Sequence, residues 1–442
     1  LVVIAVLGFR EALRTGPHLM GWDSADYARM AENLLAGQGF VYDGVADIRG
    51  EDVEFRIRGH RPPLYPMLIA ALFGLSDSNP ASIYILQAIL LIATASMLYG
   101  AARYCLGSGL PALLVLALYA FYLPMLQTVN QVGTELIFAF LLMAHVLFLV
   151  RWRRDAQWRT LVIAAVLLGL TILTRPTTFL LPLFYLPLFL IQGSRPWKAR
   201  WTAFAVHALV AFALLSPWMV RQANMFGTFV PVTTGGGITL WEGTGPAGGW
   251  TIPGWARPEV PDGTVREFRD LLDASERGYT AEVELDRLAR RKALEIIRAD
   301  PLHYARVTMV KAPKFWLGLD FETLRPLGRT NLRTLLGLAM KIGMLVLAVV
   351  GAFRVVRRRE FAFAVPGLVV LYVNLVHLFP YVLHRYSLPI HPLVMLFSGA
   401  GMLAIFERFG YGDEETPPVP AQETEVVNLP NVESRELVKG KT

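Results

Sequence analysis

Charge is scarce in this chain. Asp, Glu, Lys and Arg make up 17% of its 442 residues, against about 25% in an ordinary soluble protein. Hydrophobic residues make up 54%, and the mean hydropathy is +0.44. The shortage of charge and the surplus of apolar residues point to a membrane protein. Cysteine is nearly absent. Cys105 stands alone, which excludes an internal disulfide framework and leaves the redox compartment unreadable. Several motif classes are missing too: no Walker A sequence, no GxGxxG after a strand, no HExxH and no CxxC. The triple glycine at 235–237 lacks the Lys and the following helix of a phosphate loop, so it reads as a turn. A soluble nucleotide donor therefore gets no support. Neither a solenoid repeat nor the inverted symmetry of many transporters is visible.

What is present is a series of apolar spans, at 81–104, 110–126, 135–150, 160–173, 177–191, 201–220, 332–353, 361–379 and 388–406. The chain does not open on Met. Its first residues, LVVIAVLGF, are about half of the roughly 20 that a spanning helix needs, and they read as the end of a further transmembrane helix. A signal-peptide core is the rival, without a basic leader or a small-residue cleavage site beside it. The expectation is an all-α polytopic membrane protein of about ten transmembrane helices. The net charge of +7 sits in short basic clusters between spans, at 151–159, 194–200 and 353–360, with Arg103 and Arg408. That is a topological signal, and nucleic acid is not expected as a partner. It puts both ends of the chain in the cytoplasm and two long loops outside, at 10–79 and 221–331. Residues 1–410 then form one transmembrane domain. The Pro- and acid-rich end, 411–442, reads as a disordered cytoplasmic tail.

The outer loops carry the polar chemistry. WDSADYARMAENLLAGQGF (22–40) reads as a short amphipathic helix able to lie in the membrane interface, with Tyr27, Met30, Ala31, Leu34 and Leu35 together. Asp23 and Asp26 stand at its N-terminal end. They suit a helix cap, and equally a general base where membrane meets water. A hairpin-like charged stretch follows, then GHRPP with His60 and Arg61. In the second loop, Gly-rich turns surround Trp241. A soluble helix at 281–300 aligns Leu285, Leu288, Ala289, Ile296 and Ile297 on one face and stops at Pro301.

Three isolated charges, Glu135, Arg175 and Arg385, fall at span ends on the same predicted face as both loops. A charge at mid-bilayer costs about 2.5–3.5 kcal/mol, so such residues belong at the interface or inside the bundle. Each Arg can snorkel to headgroups; together they suit an anionic lipid headgroup, because the guanidinium fork binds phosphate bidentately. His60 and His384 are either proton carriers or solvated, structural side chains.

These segments, with RPPLYPMLIA, TELIFAFLL, GLTILTRPTTFLLP, NMFGTFVPVTTGGGITLWEGTGP and HRYSLPIHPLV, resemble the GT-C glycosyltransferases of family 39. The likeness is to the bacterial branch with protein mannosyltransferase-like, aminoarabinose-transferase-like and Rgt-type enzymes, and it runs from the first loop to the last helix. The resemblance implies a GT-C-like bundle in the plasma (inner) membrane. It implies transfer of a sugar from a polyprenyl-phosphate carrier to a glycan, lipid or protein acceptor on the extracytoplasmic face, with inversion. The family's first-loop acid falls on Asp23 and its Tyr on Tyr27. Its Glu position holds Ser24, with Asp26 as the substitute. Arg61 is implied to contact phosphate; Glu135, Arg175 and Arg385 fall on further family positions. Trp241 is expected in a cover over the site, and no metal or other cofactor is expected. The rivals are an O-antigen ligase or polymerase with a diphosphate donor, and a polytopic transporter.

Overall fold

The structure is a computed structural model. It describes residues 3–4, 6–7, 9–10, 22–48, 51–107, 109–191, 195–244, 262–277, 280–318 and 332–409. The disordered-tail expectation for 411–442, most of the opening span and the stretch 245–261 lie outside the described residues.

The chain is a helical bundle with a small sheet beside it. The first loop supplies α1 (Trp22–Leu35), a hairpin of β1 (Tyr42–Ile48) and β2 (Glu51–Ile57), and α2 (Leu64–Ser76). The strands pair antiparallel, Tyr42 opposite Ile57. The bundle follows as α3 (Ala81–Leu106), α4 (Gly109–Ala120), α5 (Glu135–Asp155), α6 (Trp158–Thr174) and α7 (Trp197–Phe226). The second loop holds α8 (Gly236–Glu242), α9 (Asp262–Arg277), α10 (Thr280–Ala299) and α11 (Pro301–Leu317). The chain returns to the bundle through α12 (Leu332–Arg358), α13 (Ala364–His377) and α14 (His391–Arg408).

Among the described residues five helices are long and apolar enough to cross a membrane. A sixth span arises if α4 and the segment Leu123–Asn130 count together across their 51° bend. The expected spans at 160–173, 177–191 and 361–379 are helices of shorter length, so among the described residues length and composition alone count fewer spans than the ten expected. Proline is the physical reason at 177–191: Pro176, Pro182 and Pro187 break the segment into one 3₁₀ turn and two helices of four and five residues.

Three other expectations change. The apolar face of α1 packs on protein: Tyr27, Met30 and Ala31 are buried, Tyr27 sits edge-on to Tyr65 at 4.9 Å, and Leu35 is left exposed. The Gly-rich turn gives way to the seven-residue helix α8. Pro301 ends α10 and also opens α11, where its missing N–H costs nothing and Asp300 caps the helix through the His303 N–H.

Helix ends decide where polar residues gather. Glu135 begins α5, Arg175 follows α6, and Arg385 precedes α14. Because α5 and α6 run antiparallel, Glu135 and Arg175 reach the same end of the bundle. The basic stretch 151–159 lies at the opposite end of this pair. There, too, Arg354 and Arg358 pair with Glu407, at 3.0 and 2.9 Å. The crossing of α12 and α14 is tight: a Cβ on Gly351 would meet the Phe397 carbonyl oxygen at 1.8 Å, and one on Gly401 the Leu347 oxygen at 2.0 Å. Small residues allow such backbone approach between membrane helices.

Candidate active site

At the end of the bundle that Glu135 and Arg175 share, a cavity of about 1270 Å³ opens. Its walls come from α1, residues 60–62, the segment 127–135, residues 174–177, α8 and the turn before it, and residues 377–386. Each wall is fixed by a local cause. Arg175 precedes Pro176, which pushes it out of helical geometry to φ −143°, ψ 123°. That ends α6 and turns the guanidinium toward α5. Gln87, buried in α3, donates its amide to the carbonyls of Val129 (3.2 Å) and Gln131 (3.0 Å), holding the irregular 127–131 backbone. Residues 378–381 are held from the second loop: Lys311 and Tyr304 both donate to the Phe379 carbonyl at 2.7 Å, and the Tyr381 N–H donates to the Thr239 carbonyl at 2.7 Å.

Three guanidiniums and three carboxylates form one continuous chain. Arg61 Nη2 lies 2.6 Å from Asp26 Oδ2 and 2.6 Å from Asp23 Oδ1. Arg385 pairs with the other Asp23 oxygen and lies 4.0 Å from Glu135 Oε1. Arg175 Nη2 bonds the same Glu135 oxygen at 2.6 Å, and its Nε bonds Thr134 Oγ1 at 2.6 Å. The Tyr27 ring backs Arg61 at 5.2 Å, and the Tyr386 ring lies 5.8 Å from both Arg175 and Arg385. The formal charges cancel. Any anion that enters must therefore exchange with a carboxylate for the guanidiniums. Arg61 Nε is buried and has no hydrogen-bond partner among the described residues.

The electrostatics follow. Burial alone raises the Asp23 carboxyl, but Arg61 and Arg385 outweigh it and hold the group at about 2. Burial pushes His60 down to about 4, so its imidazole is neutral at pH 7. Burial pushes the Glu242 carboxyl upward. Among the described residues no group of three His, Cys, Asp or Glu side chains is disposed to hold a metal ion.

Of the residues singled out by sequence, Asp23, Tyr27, His60, Arg61, Glu135, Arg175 and Arg385 all line this cavity. Asp26 does not; its carboxylate engages Arg61 from α1 and is buried. Trp241 does not either. The turn of α8 presents Ile238, Thr239 and Glu242 to the cavity, and Trp241 instead stacks on Phe268 at 4.5 Å. His384 is also absent from the wall; its Cβ backs against Gly318. The sequence reading missed Thr134, Tyr386 and Glu242. The first two adjoin motif residues; Glu242 has no local signal, because only the turn of α8 aims it.

Comparison with known proteins adds three findings. A family model described as dolichyl-phosphate-mannose-protein mannosyltransferase matches residues 60–220, the stretch that contains Arg61, Glu135 and Arg175. Comparison with curated protein sequences gives no match. Among solved structures, the archaeal oligosaccharyltransferase AglB from Archaeoglobus fulgidus, in complex with an inhibitory peptide and a dolichol-phosphate, aligns with a TM-score of 0.53 at 14% identity. That alignment covers 92% of this chain and 50% of the archaeal one, so this chain spans about half its length. ArnT from Cupriavidus metallidurans, bound to undecaprenyl phosphate, aligns at 0.40 and 16% identity over 92% of this chain and 78% of its own. The resemblance read from the sequence is thus met independently: the chain has a GT-C-type helical fold and carries, over residues 60–220, the pattern of the dolichyl-phosphate-mannose-protein mannosyltransferase family.

Proposed function

We propose that the protein is a membrane glycosyltransferase. It moves a sugar from a polyprenyl-phosphate carrier to an acceptor on the extracytoplasmic face, with inversion at the anomeric carbon. One observation carries the reading: Asp23 and Arg61 from the first loop, Arg175 after α6 and Arg385 before α14 line one cavity at one end of the bundle.

The three guanidiniums hold the donor phosphate, and the prenyl tail lies in the bilayer against the bundle. The phosphate takes Arg61 and Arg385 from Asp23. Losing those partners raises the Asp23 carboxyl toward a useful basicity. The acceptor's O–H or N–H proton passes to Asp23, and the acceptor atom bonds to the anomeric carbon. The bond from that carbon to the phosphate oxygen breaks on the opposite side, and its electron pair stays on the phosphate. The guanidiniums stabilise the charge gained there. Asp26, behind Arg61, orients that guanidinium.

The test supplies membranes with a labelled polyprenyl-phosphate sugar and compares the native protein with Asp23→Asn. Transfer is expected to fall by about 10²–10⁴-fold. Unchanged transfer removes Asp23 as the base, and a failure to consume any such donor removes the glycosyltransferase reading.

A further inference from the structure

Helix α10 has an apolar face, yet its first two turns bury two carboxylates: Glu282 is 4% exposed and Asp286 7%. Four residues apart, they sit on one side of the helix. Glu282 Oε2 accepts the N–H of Arg58 at 2.8 Å; Oε1 accepts the N–H of Gly59 at 2.9 Å and also the Thr234 hydroxyl. Asp286 Oδ1 accepts the N–H groups of Gly235 (2.8 Å) and Gly237 (2.6 Å), and Oδ2 pairs with Arg290 at 2.9 Å. A further bond, from the Thr234 N–H to the Gly59 carbonyl at 2.8 Å, ties the two captured loops together.

Both captured loops line the cavity, and Arg61 comes two residues after Gly59. Glycine makes the capture sterically feasible. A Cβ on Gly59 would fall 2.7 Å from the Phe226 ring, and one on Gly237 would fall 2.0 Å from the Asp286 carbonyl oxygen. Gly235 adopts φ +112°, with His60 Nδ1 only 2.7 Å from where its Cβ would stand. Burying a carboxylate is costly unless its oxygens are bonded. Apolar side chains alone could dock α10 to the loops. Two buried carboxylates, each bonded to backbone N–H groups, fix position as well.

We propose that Glu282 and Asp286 are positioning residues for the transfer reaction: from the second loop they hold the 58–61 and 234–237 backbones in place, and so keep Arg61 aimed at Asp23, Asp26 and the cavity. The proposal rests on the reading of Arg61 as a phosphate ligand.

The test uses the purified full-length protein in detergent, titrated with undecaprenyl phosphate and read by tryptophan fluorescence. It compares native protein, Arg61→Ala, Glu282→Ala, Glu282→Gln and the double variant Arg61→Ala with Glu282→Ala. Loss of either residue is expected to weaken binding about tenfold. Glu282→Gln keeps one acceptor oxygen and falls between. The double variant binds no worse than Arg61→Ala, because residues acting through one contact are not additive. Amide exchange at 58–61 quickens in Glu282→Ala without lipid. Native affinity in Glu282→Ala beside a weakened Arg61→Ala overturns the positioning role alone, as do losses that simply add. Native affinity in Arg61→Ala removes the phosphate reading and the proposal with it. If Glu282→Ala does not fold, Glu282→Gln serves in its place, and native affinity there overturns the role equally.

Discussion

Asp23 and Arg385 are 362 residues apart in sequence and form an ion pair in the cavity wall. One opens α1 in the first loop; the other sits in the turn His384–Tyr386 that leads into α14. Arg61 holds the other oxygen of the same carboxylate. The acid is therefore masked until something else occupies the guanidiniums.

This masking makes Asp23→Asn separable from loss of binding. The variant frees Arg61 and Arg385 from a competing charge, so undecaprenyl phosphate is expected to bind at least as tightly as to the native protein while transfer collapses. A parallel loss of affinity and rate would mean that Asp23 supports the donor site instead of accepting a proton.

Arg175 and Glu135 behave differently, because the Glu135 side chain is only 4% exposed. Arg175→Ala strands that carboxylate without its 2.6 Å partner and is expected to destabilise the protein by about 3–5 kcal/mol. Adding Glu135→Gln to Arg175→Ala restores part of the loss. Thermal unfolding in detergent measures both steps, and a second substitution that restores nothing would show that the pair is not the cause.

His60 gives a pH signature. Its ordinary value of 6.5 falls to about 4 on folding. The unfolded chain takes up its proton near pH 6.5 and the folded one only near pH 4. Stability from this group is therefore complete above about pH 6.5 and is lost as pH falls toward about 4. Arg61, Asp23 and Asp286 are the charges acting on it. The difference in unfolding temperature between the native protein and His60→Gln, followed from pH 7 to pH 4, is expected to shrink or reverse across that window. A constant difference would place His60 in water.

Gly401 tests the bundle itself. A Cβ there meets the Leu347 carbonyl oxygen, which belongs to a helix backbone and cannot rotate away. Gly401→Ala is expected to cost about 1–3 kcal/mol by overpacking, read as a lower unfolding temperature. Gly343, where a Cβ meets nothing within 4 Å, is the control: its Ala variant should unfold close to the native temperature.

Much of the cavity lining was legible because its signals are local. An acid opening an amphipathic helix, an Arg before Pro62, an Arg before Pro176 and a Glu at the head of α5 each announce themselves within a few residues. The hairpin at 42–57 was equally readable as a charged, hairpin-like stretch. Trp241 and His384 adjoin lining residues in sequence but fall outside the cavity wall: Trp241 stacks on Phe268, and His384 Cβ lies against Gly318. Glu282 and Asp286 were not singled out, because the sequence of that helix signals only its apolar face. Their partners, Gly59 and Gly235, lie 223 and 51 residues away.

The sequence by itself determined the membrane character, the basic end of the bundle and the residue types of an anion site, because hydropathy and charge act on each segment independently. Only the tertiary structure decided which carboxylate faces which guanidinium and which glycines admit a neighbour's side chain. Those choices depend on distances of about 3 Å between segments hundreds of residues apart, and hydrogen bonds of that length are set by packing and not by local sequence.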